Sequence, residues 1–94
     1  MFAIAFDMVV ADIRRHYPKG ISSAYSEIAR TVAPFGFERV QGSVYIGRSD
    51  DIGGLFDAIT ALKAMPWFPK CARDVRGFRV ENWSDFTAIV KRQQ

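Results

Sequence analysis

The amino-acid sequence predicts an α+β domain: a ferredoxin-like βαββαβ sandwich with an added C-terminal helix. Three observations carry this. Strand-like segments recur at Phe2–Met8, Phe37–Gln41, Ser43–Gly47 and Arg73–Glu81. Two segments with helical apolar spacing lie between the first and second strands and between the third and fourth. That order is the split βαβ pattern. The 94 residues suit one domain, 1–94, with one core and little surplus.

The first strand, Phe2–Met8, is apolar except for Asp7 and extends at most to Val10. Asp12–Gly20 is polar, contains Pro18 and Gly20, and reads as a loop. Ser22 or Ser23 can cap a helix to about Ala33, with Tyr25, Ile28, Ala29 and Val32 on one face. Pro34 and Gly36 end it. The second and third strands form a tight hairpin around Gly42. Ser49 and Asp50 offer a cap for the next helix, whose apolar face is Ile52, Leu55, Phe56, Ile59 and Leu62. Gly53 and Gly54 weaken its first turn, and Pro66 stops it. "PWFPK" reads as a loop before the fourth strand. Ser84 can cap a short last helix with Phe86, Ile89 and Val90 inward, and the tail "KRQQ" is expected to fray.

This pattern implies the sheet order 4-1-3-2, with both main helices on one face. The first strand is then expected to be central, parallel to the third and antiparallel to the fourth. Asp7 should lie beside Arg73 and Asp74, with Gly47 and Arg48 at the same edge. Phe2, Ile4 and Phe6 line one face of the first strand, and Ala3 and Ala5 the other. A strand exposed on one face usually alternates apolar with polar residues. Both faces are therefore expected to be covered, and a second copy is the simplest cover. The sequence predicts a homodimer through the sheet face.

Composition narrows the classes. Hydrophobic residues make up 49% and charged residues 24%, which excludes a disordered chain. No segment is long and apolar enough to span a membrane. No basic region precedes the first apolar run, so no signal peptide is expected. Cys71 is alone, which excludes an internal disulfide and a thiolate metal cage. These features together favour the cytoplasm. The net charge of +3 includes nine arginines, whose planar forks suit phosphate. A nucleic-acid partner is compatible with this charge but not required by it.

Asp7 is the residue to explain. A lone buried carboxylate is costly unless it is paired or bound to a metal. At the end of a central strand it can hold a divalent ion or take part in proton transfer. The competing reading is a partner for an arginine. "RDVR" places Asp74 and Arg76 on one strand face, where Asp74 can approach Asp7 or pair with Arg76. "DIRRHY" offers Arg14, Arg15 and the only histidine, His16, more simply read as exposed loop residues. Tyr45 and Phe37 could stack on unpaired bases, although packing in the core or a dimer is the simpler reading. No nucleophile elbow, His/Cys cluster or phosphate-cradling loop is present.

The segments "FAIAFDM", "AYSEIARTVAPFGFERVQGSVYIG" and "MPWFPKCARDVRGFRVEN", over roughly residues 1–83, resemble the virulence-associated protein D (VapD) family. "GFERVQGSVY" and "RDVRGFRVE" are the most specific parts. The resemblance implies a ferredoxin-like homodimer acting as an endoribonuclease, similar to the small CRISPR-associated endoribonucleases with an aspartate at the end of the first strand. It also implies the toxin of a toxin–antitoxin pair, with a small antitoxin protein as partner. Matched by position, the implied catalytic residues are Asp7, Ser43 and Asp74. Ser43 begins the third strand and is expected some way from Asp7 within one protomer. Arg39, Arg48 and Arg76 are candidate phosphate contacts. Asp7 is a candidate ligand for Mg²⁺, although the residues do not choose between metal-assisted hydrolysis and attack by the RNA 2′-hydroxyl. The reading from another class is a non-catalytic dimeric module that binds RNA or a protein.

Overall fold

A computed structural model describes residues 1–92. In chain order the elements are β1 (Phe2–Met8), α1 (Val10–His16), α2 (Ile21–Val32), a short 3-10 turn (Ala33–Phe35), β2 (Phe37–Gln41), β3 (Val44–Gly47), α3 (Ile52–Ala64), α4 (Phe68–Cys71), β4 (Ala72–Arg79) and α5 (Thr87–Lys91). The sheet order is β2-β3-β1-β4, the predicted ferredoxin-like arrangement. Gln93 and Gln94, part of the expected frayed tail, lie outside the described residues.

One expectation about direction is overturned. β3 runs antiparallel to β1, with Phe2 opposite Gly47 and Ala5 opposite Val44. The cause is connectivity. The crossover through α2 returns the chain in the direction of β1, and the tight turn at Gly42 then reverses it. Gly42 has φ of 38°, a backbone conformation that suits glycine. Arg48 therefore lies at the N-terminal end of β1, and the Ser43 end of the hairpin lies beside Asp7.

Phe2, Ile4, Phe6 and Met8 face the helices and join a core with Ile28, Tyr45 and Leu62. Ala3 and Ala5 face the other way. Ala3 sits in a row between Ile46 and Phe78, and Ala5 in a row between Val44 and Arg76. Ala3 is fully buried, whereas Phe78 is 46% exposed. Tyr45 and Phe37 are buried core residues and offer no stacking surface for bases.

Two segments read as loops are helical. In α1, Ile13 is fully buried, and Tyr17 just beyond it packs on Trp67 with ring centroids 4.7 Å apart. Val10, Ile13 and Tyr17 recur at helical spacing, but the charges between them hide the pattern. α4 carries Pro69 in its first turn, where no helical N–H bond is lost. The Val9 amide donates to the Cys71 carbonyl at 2.9 Å and ties α1 to α4. Cys71 itself is buried, and burial pushes its thiol pKa up.

Boundaries also move. Gly20, not a serine hydroxyl, precedes α2. Asp51 caps α3 by accepting from the Gly53 amide at 2.8 Å, while the Ser49 hydroxyl accepts from the Asp51 amide. On α3, Leu62 is buried, but Ile52 and Phe56 stand outside the stripe that meets the sheet and are exposed. Phe86, Ile89 and Val90, expected inward, are 63%, 60% and 79% exposed. The arm carrying α5 leaves β4 without returning to the core.

Glu27 links α2 to the α4 region: the Trp67 indole N–H donates to its Oε1 at 3.0 Å. This bond, together with the Tyr17 hydroxyl nearby, holds the Glu27 pKa below its ordinary 4.5. A group with a lowered folded pKa stabilises the fold above its unfolded pKa, and that stability is lost as pH falls through the folded value. Unfolding in urea across the acid range should therefore show wild-type stability dropping below pH about 4.5, with a shallower slope in Glu27→Gln. Equal acid slopes would show that this link does not contribute.

Candidate active site

Asp7 and Asp74 are directly opposite each other across the β1–β4 ladder, on the face away from the helices. Two like charges so placed repel unless they are balanced. The balance comes from the register. Asp7 pairs with Asp74 but Met8 pairs with Ala72, so Arg73 is an extra residue in β4. A bulge of this kind re-aims a side chain. Here Arg73 turns onto Asp7, and its Nε donates to Oδ2 at 3.0 Å with Nη2 on the same oxygen. This hydrogen bond, and then the Asp7 charge, raise the Arg73 pKa above its ordinary value. Arg76, two residues along the same face, donates from Nε to both Asp74 oxygens at 3.0 and 3.1 Å.

These groups remain open to solvent: the Asp7 side chain is 53% exposed and the Asp74 side chain 45%. Exposed ion pairs add little to stability. The arrangement is thus poorly explained as a brace for the fold. Chemically it offers accessible carboxylates able to accept a proton, beside guanidinium groups able to hold phosphate.

Ser43 reaches the same end of the sheet. Its carbonyl accepts from the Phe6 amide at 3.1 Å, one residue from Asp7. The expected separation within one protomer is therefore corrected by the antiparallel direction of β3. The Ser43 hydroxyl turns toward the helix side and lies 3.2 Å from the Tyr25 hydroxyl. Arg39 is close by: its Nε donates to the Gly42 carbonyl at 2.7 Å, and its guanidinium lies 4.8 Å from the centre of the Tyr25 ring. Asp7 and Ser43 share one end of the sheet but lie toward opposite faces.

Of the candidate arginines, Arg76 and Arg39 are at this end. Arg48, expected at the Asp7 edge, is at the other end, beyond Gly47, and is not brought together with these groups within the protomer. That far end holds a separate cluster in which the N-terminal ammonium and Arg79 both contact Asp50. Arg14 and Arg15 are exposed on α1, which follows the C-terminal end of β1. Tyr25, whose spacing on α2 suits a packing face, also reaches this end of the sheet through its hydroxyl. The available signal was chemical: a tyrosine on an inward face needs a partner for its hydroxyl.

A divalent ion at Asp7 would take its protein ligands from the facing Asp7 and Asp74 carboxylates. Among the described residues no third His, Cys, Asp or Glu joins them in a cluster that could hold a metal ion. Asp7 and Asp74 are each already paired with a guanidinium.

No family model matches the chain. Curated relatives do. It is 56% identical over 91 residues to an endoribonuclease VapD homolog of Neisseria gonorrhoeae, covering 97% of this chain and 99% of the relative. It is 47% identical to the endoribonuclease VapD of Haemophilus influenzae and 45% identical to that of Dichelobacter nodosus, in each case over 97% of this chain and nearly all of the relative. At that identity over nearly the whole length of each protein, the chain belongs to the VapD family.

Proposed function

We propose that this chain is an endoribonuclease that cuts the RNA backbone at the Asp7–Asp74 end of its sheet, working as a homodimer. The observation that carries the site is the pair of exposed, opposed carboxylates, each held by an arginine. The naming of full-length relatives as endoribonucleases supports the reaction class.

The chain's own groups suffice for a route through the RNA 2′-hydroxyl. Asp7, on solvent and fixed by Arg73, accepts the 2′-hydroxyl proton as general base. The 2′-oxygen attacks its own phosphorus. Arg73 and Arg76 balance the charge that grows on the phosphate oxygens. The bond to the 5′-oxygen breaks, and that oxygen takes a proton from solvent. The products are a 2′,3′-cyclic phosphate and a 5′-hydroxyl. No step runs through Mg²⁺. The role of Ser43 is to donate a hydrogen bond to the backbone from the helix-side edge.

The dimer reading rests on apolar surface. Phe78 on the open sheet face and Trp83, Phe86, Ile89 and Val90 on the C-terminal arm are all exposed. A concavity lies between this arm and Val40 and Gln41 at the end of β2. A second copy supplies an apolar cover for both. The toxin role, with a small antitoxin protein as partner, rests on the sequence resemblance alone. No described helix is long and apolar enough to cross a membrane.

A defined RNA, cut by purified protein with and without EDTA, tests the chemistry. Wild type should cut in EDTA and leave cyclic phosphate ends, whereas Asp7→Asn should lose at least about a hundredfold in rate, the usual scale for general acid–base catalysis. A folded Asp7→Asn protein that cuts at the wild-type rate refutes the assignment. Loss of cutting in EDTA with 5′-phosphate ends moves the mechanism to metal-assisted hydrolysis. Light scattering at micromolar concentration should give about twice the 10.6 kDa chain mass. A monomer mass refutes the dimer.

A further inference from the structure

Tyr25 stands where two elements of the proposed site meet. Its hydroxyl is 3.2 Å from the Ser43 hydroxyl, on the hairpin that brings Ser43 beside Phe6. Its ring is stacked with Phe6 at 6.3 Å between centroids and 18° between planes. Phe6 in turn stacks on Tyr45 at 5.7 Å. The position of Tyr25 is thus fixed from β1, the strand that also carries Asp7.

The same ring seats Arg39. The guanidinium lies 4.8 Å from the ring centre, a cation–π distance. Arg39 spends Nε on the Gly42 carbonyl. Its terminal nitrogens make no hydrogen bond or ion pair among the described residues and are free to bind an external acceptor. Tyr45 adds a further polar group. Its hydroxyl is enclosed and has no hydrogen-bond partner among the described residues. Burial raises its pKa, and the Arg39 charge acts against that rise. Tyr45 is closed to any external ligand, so the groups that meet at the surface of the hairpin end are the Tyr25 and Ser43 hydroxyls and the Arg39 guanidinium, and no carboxylate is bonded to any of them. The chemical complement of that set is an anion with several acceptor oxygens.

We infer that Tyr25 is a positioning residue for RNA cleavage. Its hydroxyl orients Ser43 and its ring orients Arg39, so that both contact a backbone phosphate next to the one that is cut. This rests on the reading above that Ser43 and Arg39 belong to the cleavage site. The two roles are separable. The hydroxyl acts through Ser43 and is removed by Tyr25→Phe, which keeps the ring and its stacking. The ring acts through Arg39 and is removed by Tyr25→Leu.

Steady-state cleavage of a defined oligoribonucleotide by four variants tests this: Tyr25→Phe, Tyr25→Leu, Ser43→Ala and the double variant Tyr25→Phe/Ser43→Ala. Tyr25→Phe should lower kcat by about fivefold to tenfold with little change in KM, the scale of one orienting hydrogen bond. In the Ser43→Ala background the same change should have no further effect, because residues that act through one another are not additive. Tyr25→Leu should in addition raise KM by about threefold or more as Arg39 loses its seat. If Ser43→Ala slows cleavage while Tyr25→Phe matches wild type, Tyr25 serves only packing and the inference is wrong. Additive losses in the double variant overturn it equally. If Ser43→Ala cuts like wild type, the assignment of Ser43 to the site fails first, and the hydroxyl role of Tyr25 falls with it. Thermal melts of Tyr25→Phe separate a catalytic loss from a folding loss.

Discussion

The placement of Asp7 directly opposite Asp74 is the constraint around which this end of the molecule is arranged. Two carboxylates directly opposite each other on a sheet face would weaken the ladder they belong to. The bulge at Arg73 and the spacing of Arg76 remove that penalty by giving each carboxylate its own guanidinium. The bulge lies where α4 runs into β4, and α4 is held against α1 by the bond from Val9 to Cys71. The charged cluster therefore depends on the small helices that flank the sheet end as well as on the sheet itself. All four groups remain open to solvent.

The chain sequence made most of the fold legible, and the failures have identifiable causes. Strand order followed from the alternation of strand-like and helix-like segments. The direction of β3 did not, although the tight turn at Gly42 already required it. That one sign moved Arg48 to the far end and brought Ser43 to the near end. α1 was obscured because Arg14, Arg15 and His16 gave its segment the polarity of a loop. Its burial is set by Ile13, with Tyr17 just beyond, through contacts with a distant part of the chain. The C-terminal helix shows the converse. Its apolar residues predicted a core-facing helix, but the core is already closed and the helix stays outside it.

The site was legible in part. Asp7 stands out because a carboxylate interrupts an apolar strand, and its proximity to Asp74 followed from sheet order. The pairing of Asp7 with Arg73 rather than Arg76 depends on a bulge, and no local sequence rule places that bulge. Tyr25 was hidden for another reason: its spacing on α2 suits packing, and only the hairpin's return reveals that its hydroxyl meets Ser43. In the proposed enzyme these features divide the labour. The open face carries the carboxylates and their arginines, the helix-side edge carries hydroxyl groups and Arg39, and the RNA backbone passes around the sheet end between them.

In the proposed enzyme Asp74 acts through Arg76, which it holds beside Asp7, so that the two carboxylates work as one unit on the RNA backbone. Single-turnover cleavage by Asp7→Asn, Asp74→Asn and the double variant tests it most directly. Groups that work as a unit give a double variant no slower than the worse single variant. Losses that multiply in the double variant would contradict the account, as would an Asp74→Asn protein that cuts RNA at the wild-type rate.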